Sequence, residues 1–388
     1  MESNLEKKSV SGGGKSPLPF KGIVVWAFSV NLHSFLVYNE IAKHTPVTLC
    51  VMISKFRNLG SLNLDNCRLV EIKSVDDAPR ETLNPGYLHI TGALKRLGYW
   101  APVYDCVKMA VEAGCQVMGL NMEQYPWWGA KGLLRSMQWL WIYNFGLGRK
   151  VKAIGCLGQS GIRAYRRAGV SRRRIFEYVY APPCVSVSYT PPHAVEGGLK
   201  EKYQITFIGQ IISRKAIVES VENLRQLDED FELHIVGEGS QAELLKRSVA
   251  GDSRMTYHGK LEINQVHQLL ERTDLLLLPS RFDGWGATLN EALMHGCRGV
   301  VCNHAGSHSL IEYTGFGQVF ADGDWAQFRE QVRGEIARGK VPQEERAAIK
   351  RWSLSIQPEA VSKYLTGVIN YYFGDLKEKP TPPWREKN

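Results

Sequence analysis

The eight cysteines (Cys50, Cys67, Cys106, Cys115, Cys156, Cys184, Cys297, Cys302) are scattered and form no C-x-x-C pair. A chain of 388 residues has no need of covalent staples, so reduced thiols in a cytoplasm are expected. No run of about 18 uninterrupted apolar residues is present, and the first residues carry no apolar stretch of signal-peptide type. No G-x-G-x-x-G follows the first strand-like run, which argues against a nicotinamide-dependent enzyme. No D-x-D triplet is read at a strand end anywhere in the chain, and His295, His304 and His308 have no acid or Cys at a recognised metal spacing, so no metal is expected. Acidic residues are in deficit: 39 Asp and Glu against 48 Lys and Arg leave a formal charge of +9. That balance favours an anionic partner.

With 44% apolar and 22% charged residues the chain is folded and soluble by composition, and its length calls for two domains. After a loose leader at 1–20, the run GIVVWAFSV (22–30) reads as a buried parallel strand. A helix-length segment follows at 34–44, then strand signals at 47–53, 88–91 and 116–121, with a helix at 102–113. This alternation predicts a βα-wound domain over 21–185. Prolines and glycines in 186–200 mark a linker. The alternation restarts at ITFIGQI (205–211) and continues through strands at 231–237, 254–259 and 274–280, separated by amphipathic helices ending near Leu227, Val249 and Arg272. A second wound domain is expected over 201–357, and 358–388 read as a helix and tail. The fold class is thus α/β, with two doubly wound parallel sheets.

The densest functional signal is DLLLLPSRFDGWGATLNEALMHGC (274–297). A buried strand runs into Asp283-Gly284-Trp285-Gly286, and a helix starts near Ala287 and Thr288. Such a crevice at a strand's carboxyl end is where open α/β sheets hold ligands, and loop amides at a helix start favour phosphate. Asp283 precedes the helix and Glu291 lies more than a turn inside it, where a carboxylate can accept from paired sugar hydroxyls.

The spacing in this stretch resembles the E-x7-E signature of retaining GT-B glycosyltransferases of the family 4 type, used in bacterial polysaccharide and lipid glycosylation. Here it stands as D-x7-E. The likeness runs from about Ile205 to Asp324 and continues more weakly through 21–180. It implies two facing Rossmann-like domains, a C-terminal helix crossing back to the first, and a nucleotide-diphosphate sugar as donor, with no cofactor. It further implies that Glu291 contacts the ribose and Asp283 the donor sugar. Arg214 and Lys215, in FIGQIISRKAIVESVENL (207–224), resemble the family's diphosphate clamp, with Gln210 where Arg is common. Gly209, Gly237, Gly239, Gly284, Trp285, Gly286, Ala287 and Thr288 are expected beside the nucleotide. In the first domain FSVNLH (28–33) replaces the usual glycines after strand one. His89, with His33 and Glu123, is the candidate facing the reacting groups from that side.

The expected reaction is transfer of a sugar to a hydroxyl of a glycan or lipid-linked acceptor, with retention and without metal. A nucleotide-sugar epimerase or an inactive scaffold of the same architecture are the alternatives; nucleotide release on adding acceptor separates the first, and donor hydrolysis the second. From Lys131 to Phe176 there are eleven Lys and Arg, no Asp or Glu, and interleaved Trp139, Leu140, Trp141, Tyr143 and Phe145. This composition suits anionic lipid headgroups, at the inner face of the plasma membrane, with RNA or a plain solvated face as the alternatives; no nucleic acid partner is expected.

Overall fold

The computed structural model describes residues 18–29, 32–53, 66–96, 98, 101–182 and 202–386. The first domain runs β1 (Gly22–Ser29), α1 (Leu32–Ala42), β2 (Val47–Ile53), β3 (Arg68–Glu71), β4 (Tyr87–Thr91), α2 (Ala101–Glu112), β5 (Gln116–Met122), α3 (Gly129–Asn144), β6 (Val151–Leu157), α4 (Gly158–Arg167) and β7 (Ile175–Tyr178). All its strands pair in parallel, in the order β3-β2-β1-β4-β5-β6-β7. Helices cover both faces, which is why β1 reads as continuously apolar: its first five residues are all buried.

The second domain repeats the plan. It comprises β8 (Tyr203–Ile208), α5 (Ile217–Leu224), β9 (Phe231–Val236), α6 (Ala242–Val249), β10 (Met255–Gly259), α7 (Ile263–Arg272), β11 (Leu275–Leu278), α8 (Thr288–Met294), β12 (Arg298–Cys302), α9 (His308–Thr314), β13 (Gly317–Phe320), α10 (Trp325–Ala337) and α11 (Gln343–Ser353). Its parallel order is β10-β9-β8-β11-β12-β13. In each sheet the order reverses beside the first strand, between β1 and β4 and between β8 and β11, and the crevice at that reversal is the place where a ligand meets loop amides.

α12 (Pro358–Phe373) lies against α1, so the chain's end packs on the first domain. The proline at its first position lacks only an amide that a helix start leaves unbonded anyway. One apolar cluster is continuous from Val25 and Phe35 through Leu365 and Val368 of α12 to Leu289 and Ile349 of the second domain. Buried Glu177, at the end of β7, ties this junction together. It accepts from Gln159 Nε2 at 2.8 Å, Tyr313 Oη at 3.0 Å, Trp384 Nε1 at 3.2 Å and Arg385 Nε at 2.7 Å.

Three expectations need correction. The leader does not extend to residue 20: Leu18 and Phe20 are buried, and Phe20 packs edge-on against Phe373 at 5.6 Å. Strands β3, β6, β7, β12 and β13 escaped the pattern. One of these, β13, is followed by Asp322-Gly323-Asp324, so a D-x-D does close a strand. Its acids are engaged within the protein: Asp324 caps α10 through the Gln327 amide at 2.9 Å, and Asp322 pairs with His304 at 3.3 Å. The expected linker at 186–200 lies outside the described residues. Among those described, seven cysteines are free.

Candidate active site

The reversal between β8 and β11 brings two loops together. The loop after β8 carries Arg214 and Lys215 in a single helical turn, and the loop after β11 carries Asp283. Lys215 Nζ forms an ion pair with Asp283 Oδ2, both side chains being largely covered. Arg214 Nη1 lies 3.9 Å from Asp283 Oδ1 and donates to the Phe282 carbonyl at 2.6 Å. The Arg281 amide bonds back to the Arg214 carbonyl at 2.9 Å, so the two loops are laced by backbone as well as by charge. Ala216, which follows Lys215, holds φ at 53°, the left-handed region where a Cβ costs about 1–2 kcal/mol. The turn that aims Lys215 is therefore bent at an energetic cost.

Glu291 stands in the first turn of α8, behind Gly286 and Ala287, and not more than a turn inside it as expected, because the helix starts only at Thr288. Among the described residues its carboxylate makes no ion pair or hydrogen bond. Desolvation alone acts on it, and raises its pKa to about 7. A largely buried carboxyl left without a donor is equipped to receive hydroxyl groups from outside the chain.

The first domain closes on this centre through residues 123–128. Gln124 Nε2 donates to the carbonyls of Asp283 and His304, both at 2.7 Å, and the Trp128 ring stacks on His304 at 4.3 Å. Glu123 is held by Tyr180 Oη, which donates at 2.8 Å. Burial raises the Glu123 pKa, offset by the Tyr180 bond and raised further by the Asp283 charge. Beside it opens a cavity of about 590 Å³ at the carboxyl ends of β1, β4 and β5, bounded by Phe35, Thr91, Asn121, Glu123, Trp139 and Tyr180. Asn121 takes φ of 59°, a conformation its short side chain tolerates better than most, and so turns the chain sharply toward Glu123.

The expected residues divide accordingly. Asp283, Lys215 and Arg214 meet between the loops after β8 and β11, and Glu291 stands in α8, the helix that follows the second of these loops, with Gly286, Ala287 and Thr288 at the turn into it. Gly284 lies directly under Glu123: a Cβ there would overlap Glu123 Oε2. Its missing side chain thus serves the approach of the two domains. Gly237, at φ 138°, lies against the Gly209 carbonyl, and Gly239 against Ile211; these three glycines let the ends of β8 and β9 pack together.

Two assignments are corrected by the geometry. The Trp285 side chain is buried, donates Nε1–H to Asn290 Oδ1 at 2.8 Å and meets the Tyr180 ring edge-on, so it anchors the domains and offers a ligand only its backbone. His89 is fully buried in the first domain's core. Its Nδ1 accepts from Trp26 Nε1 at 2.9 Å and its Nε2 donates to the Thr82 carbonyl at 3.1 Å, and burial lowers its pKa to about 4. It is a neutral packing residue. His33 lies beside Tyr180, at 5.9 Å between rings, and burial lowers its pKa too. Gln124, Tyr180 and Asn290, whose Nδ2 donates to the Tyr180 carbonyl at 2.9 Å, complete the junction. No sequence pattern flags them, because the bonds of Gln124 to the Asp283 and His304 carbonyls and of Asn290 to the Tyr180 carbonyl join residues more than a hundred apart in the chain. Among the described residues no cluster of His, Cys, Asp or Glu is arranged to hold a metal ion.

This architecture is the GT-B fold. The lipopolysaccharide outer core galactosyltransferase WaaB, in its apo form, superposes with a TM-score of 0.65 over 88% of this chain and 97% of that one, at 14% identity. The Anabaena protein Alr3699/HepE in complex with UDP does so with a TM-score of 0.68 over 89% and 98%, at 12% identity. Within that fold, residues 202–336 match the family Glycosyl transferases group 1, so the crevice described above lies in a domain of that type. The lipopolysaccharide 1,6-galactosyltransferase of Escherichia coli strain K12 is 30% identical over 134 residues, a stretch spanning 32% of this chain and 37% of that protein.

Proposed function

We propose that this chain transfers a glycosyl group from a nucleoside-diphosphate sugar to a hydroxyl of a glycan or lipid-linked acceptor, with retention of anomeric configuration and without a metal ion. The observation that carries this reading is the grouping of Arg214, Lys215 and Asp283 on two loops at the β8/β11 reversal, with Glu291 in the helix that follows. Fixed cations there neutralise the diphosphate as it departs, which is the charge that develops in the transition state. Glu291 receives the ribose hydroxyls, and Asp283, once the diphosphate draws Lys215 away, is released toward the sugar.

The acceptor enters from the first domain's cavity, where Glu123 faces the loop of Asp283 and Gly284. Among the described residues no side chain is placed as a nucleophile with a partnering base, so attack from the face the nucleotide leaves is the favoured course. UDP bound by a protein of this fold supports a uridine donor, and the galactosyltransferase likeness favours galactose. The reaction belongs on the cytoplasmic side of a membrane, where nucleotide sugars are the currency. The test is a panel of nucleotide sugars in a thermal-shift assay, since a ligand bound only by the folded chain raises its melting temperature. A UDP-sugar is expected to give the largest shift; no shift with any nucleotide sugar would overturn the reading.

A further inference from the structure

The groups that face the first domain's cavity are sorted by charge. Where β5 ends, Asn121 and Glu123 present oxygen atoms that accept hydrogen bonds. The wall formed by α3 and the loop after β4 presents Lys95, Arg135 and Gln138 instead. Lys95 Nζ donates to Gln138 Oε1 at 2.8 Å, which joins loop to helix and leaves the Gln138 amide NH2 to donate in turn. Arg135 Nη1 donates to the Pro126 carbonyl at 3.3 Å and keeps the rest of its guanidinium N–H groups. Neither cation meets a carboxylate among the described residues, and the sequence holds none between Glu123 and Glu177. Arg96, next to Lys95 but outside the cavity, shows the alternative: it is paired with Asp105 through two bonds of 3.0 and 2.9 Å.

A second, independent observation marks the cavity as a binding site. Ser34, 1% exposed in α1, and Asn121 both line it, and among the described residues Ser34 Oγ and Asn121 Oδ1 are buried with no hydrogen-bond partner. Buried polar atoms are nearly always paired, so two orphans on one cavity mark bonds that something outside the chain supplies. Trp26, Phe35 and Tyr38, all buried, add an apolar lining against which the C–H face of a sugar ring packs. About 590 Å³ is within the range of small-molecule sites. A neutral sugar would use the hydroxyl-binding atoms and the rings, and would leave Lys95 and Arg135 with nothing to bind.

We propose that this cavity selects a sugar bearing an anionic substituent, a phosphate or a carboxylate, and that Lys95 and Arg135 are the residues that determine the choice. The anion seats on the two cations, where charge-assisted bonds are about twice as strong as neutral ones, and the ring hydroxyls meet Ser34, Asn121 and Glu123. Glu123 borders Gly284 of the second domain, so a hydroxyl bound there lies next to the loop of Asp283. Charge therefore sets the direction of the bound sugar: anion at α3, attacking hydroxyl toward the donor. That the sugar is the acceptor rests on the reaction proposed above; its recognition through the anion does not.

The experiment uses the full chain, without donor, and titrates three probes by saturation-transfer NMR: methyl glucoside, methyl glucoside 6-phosphate and methyl glucuronide. At least one anionic probe is expected to bind about tenfold more tightly than methyl glucoside, with added salt narrowing the gap, and the tighter of the two names the substituent. Lys95→Ala/Arg135→Ala is expected to abolish that preference while holding methyl glucoside within about twofold of wild type, a split that loss of structure would not give. Arg214→Ala/Lys215→Ala, on the second domain, is expected to keep the preference. Equal affinity for all three probes, no binding of either anionic probe, a preference that survives Lys95→Ala/Arg135→Ala, or one that disappears in Arg214→Ala/Lys215→Ala would each overturn the proposal. Because no nucleotide sugar is present, anionic probes held by Lys95 and Arg135 in a chain that turns over no donor would contradict the reaction and leave the selectivity standing.

Discussion

Gly284 of the second domain lies so close to Glu123 of the first that a single added carbon would overlap the Glu123 carboxylate. The Glu123 side chain fills the space between the two domains at this point, leaving none for a side chain at 284, and the contact stands next to Asp283. Gly284→Ala is therefore expected to lower transfer by an order of magnitude or more while leaving each domain folded, because about 1 Å of misplacement at a reacting centre costs on the order of 10²-fold. Adding Glu123→Ala removes the obstacle. If the double variant closes no better than Gly284→Ala alone, as read by small-angle scattering with UDP bound, the clash is not the cause.

Glu291 gives the site a pH signature. Burial raises its pKa to about 7, whereas hydroxyls donated by a bound ribose favour the carboxylate, so donor binding expels a proton. Donor affinity is expected to rise as pH increases through about 7, and Glu291→Gln should bind more weakly by about 1.5–3 kcal/mol with that pH dependence gone. For folding the sign is opposite. Between 4.5, the ordinary carboxyl value, and about 7 the native chain keeps a proton that the unfolded chain loses, so this group's contribution to stability falls as pH rises. Calorimetry in buffers of different ionisation enthalpy measures the proton count directly; zero protons at pH 6.5 would remove Glu291 from the donor site.

Lys215→Ala is expected to lower kcat by about 10²–10³-fold and donor affinity by much less, since negative charge grows on the leaving phosphate as the glycosidic bond breaks. Arg214 is close enough to Asp283 to compensate in part, so the double variant Arg214→Ala/Lys215→Ala should be worse than either single one. Normal kcat with weakened donor affinity in Lys215→Ala would make it a binding cation only.

Glu177 makes a prediction about stability alone. It is buried and collects donors from α4, α9 and the C-terminal tail. Glu177→Ala leaves several of these unpaired and is expected to cost about 3–5 kcal/mol in denaturant unfolding. A loss below about 1 kcal/mol, the level of an exposed pair, would show that the junction does not depend on it.

The sequence revealed most clearly what burial on both sides of a sheet imposes. β2 was located to the residue, and β1, β9 and β11 to within one or two, because short, continuous apolar runs between amphipathic helices suit a strand covered on both faces and little else. β3 was missed because RLVE is an edge strand with most of its side chains in solvent. β6 and β7 were hidden inside a stretch whose Lys and Arg drew the reading toward a surface. At the site, Lys215 and Asp283 were legible as strand-end residues, yet nothing in the order of residues shows that they pair over 68 positions. His89 misled for the same reason. A histidine in a strand looks available until Trp26 of the neighbouring strand, carried there by the Val24 to His89 register, is seen to occupy it.

The central claim is that the crevice of Lys215, Asp283 and Glu291 splits a nucleotide sugar without a metal. The most direct measurement is UDP release from UDP-galactose and UDP-glucose in excess chelator, comparing the wild-type chain with Glu291→Gln and Lys215→Ala. Wild type is predicted to form UDP in chelator, faster when an acceptor glycolipid is added, and both variants are predicted to release it at least about tenfold more slowly. Activity that vanishes with chelator and returns with Mg²⁺ or Mn²⁺, or release undiminished in both variants, would contradict the claim.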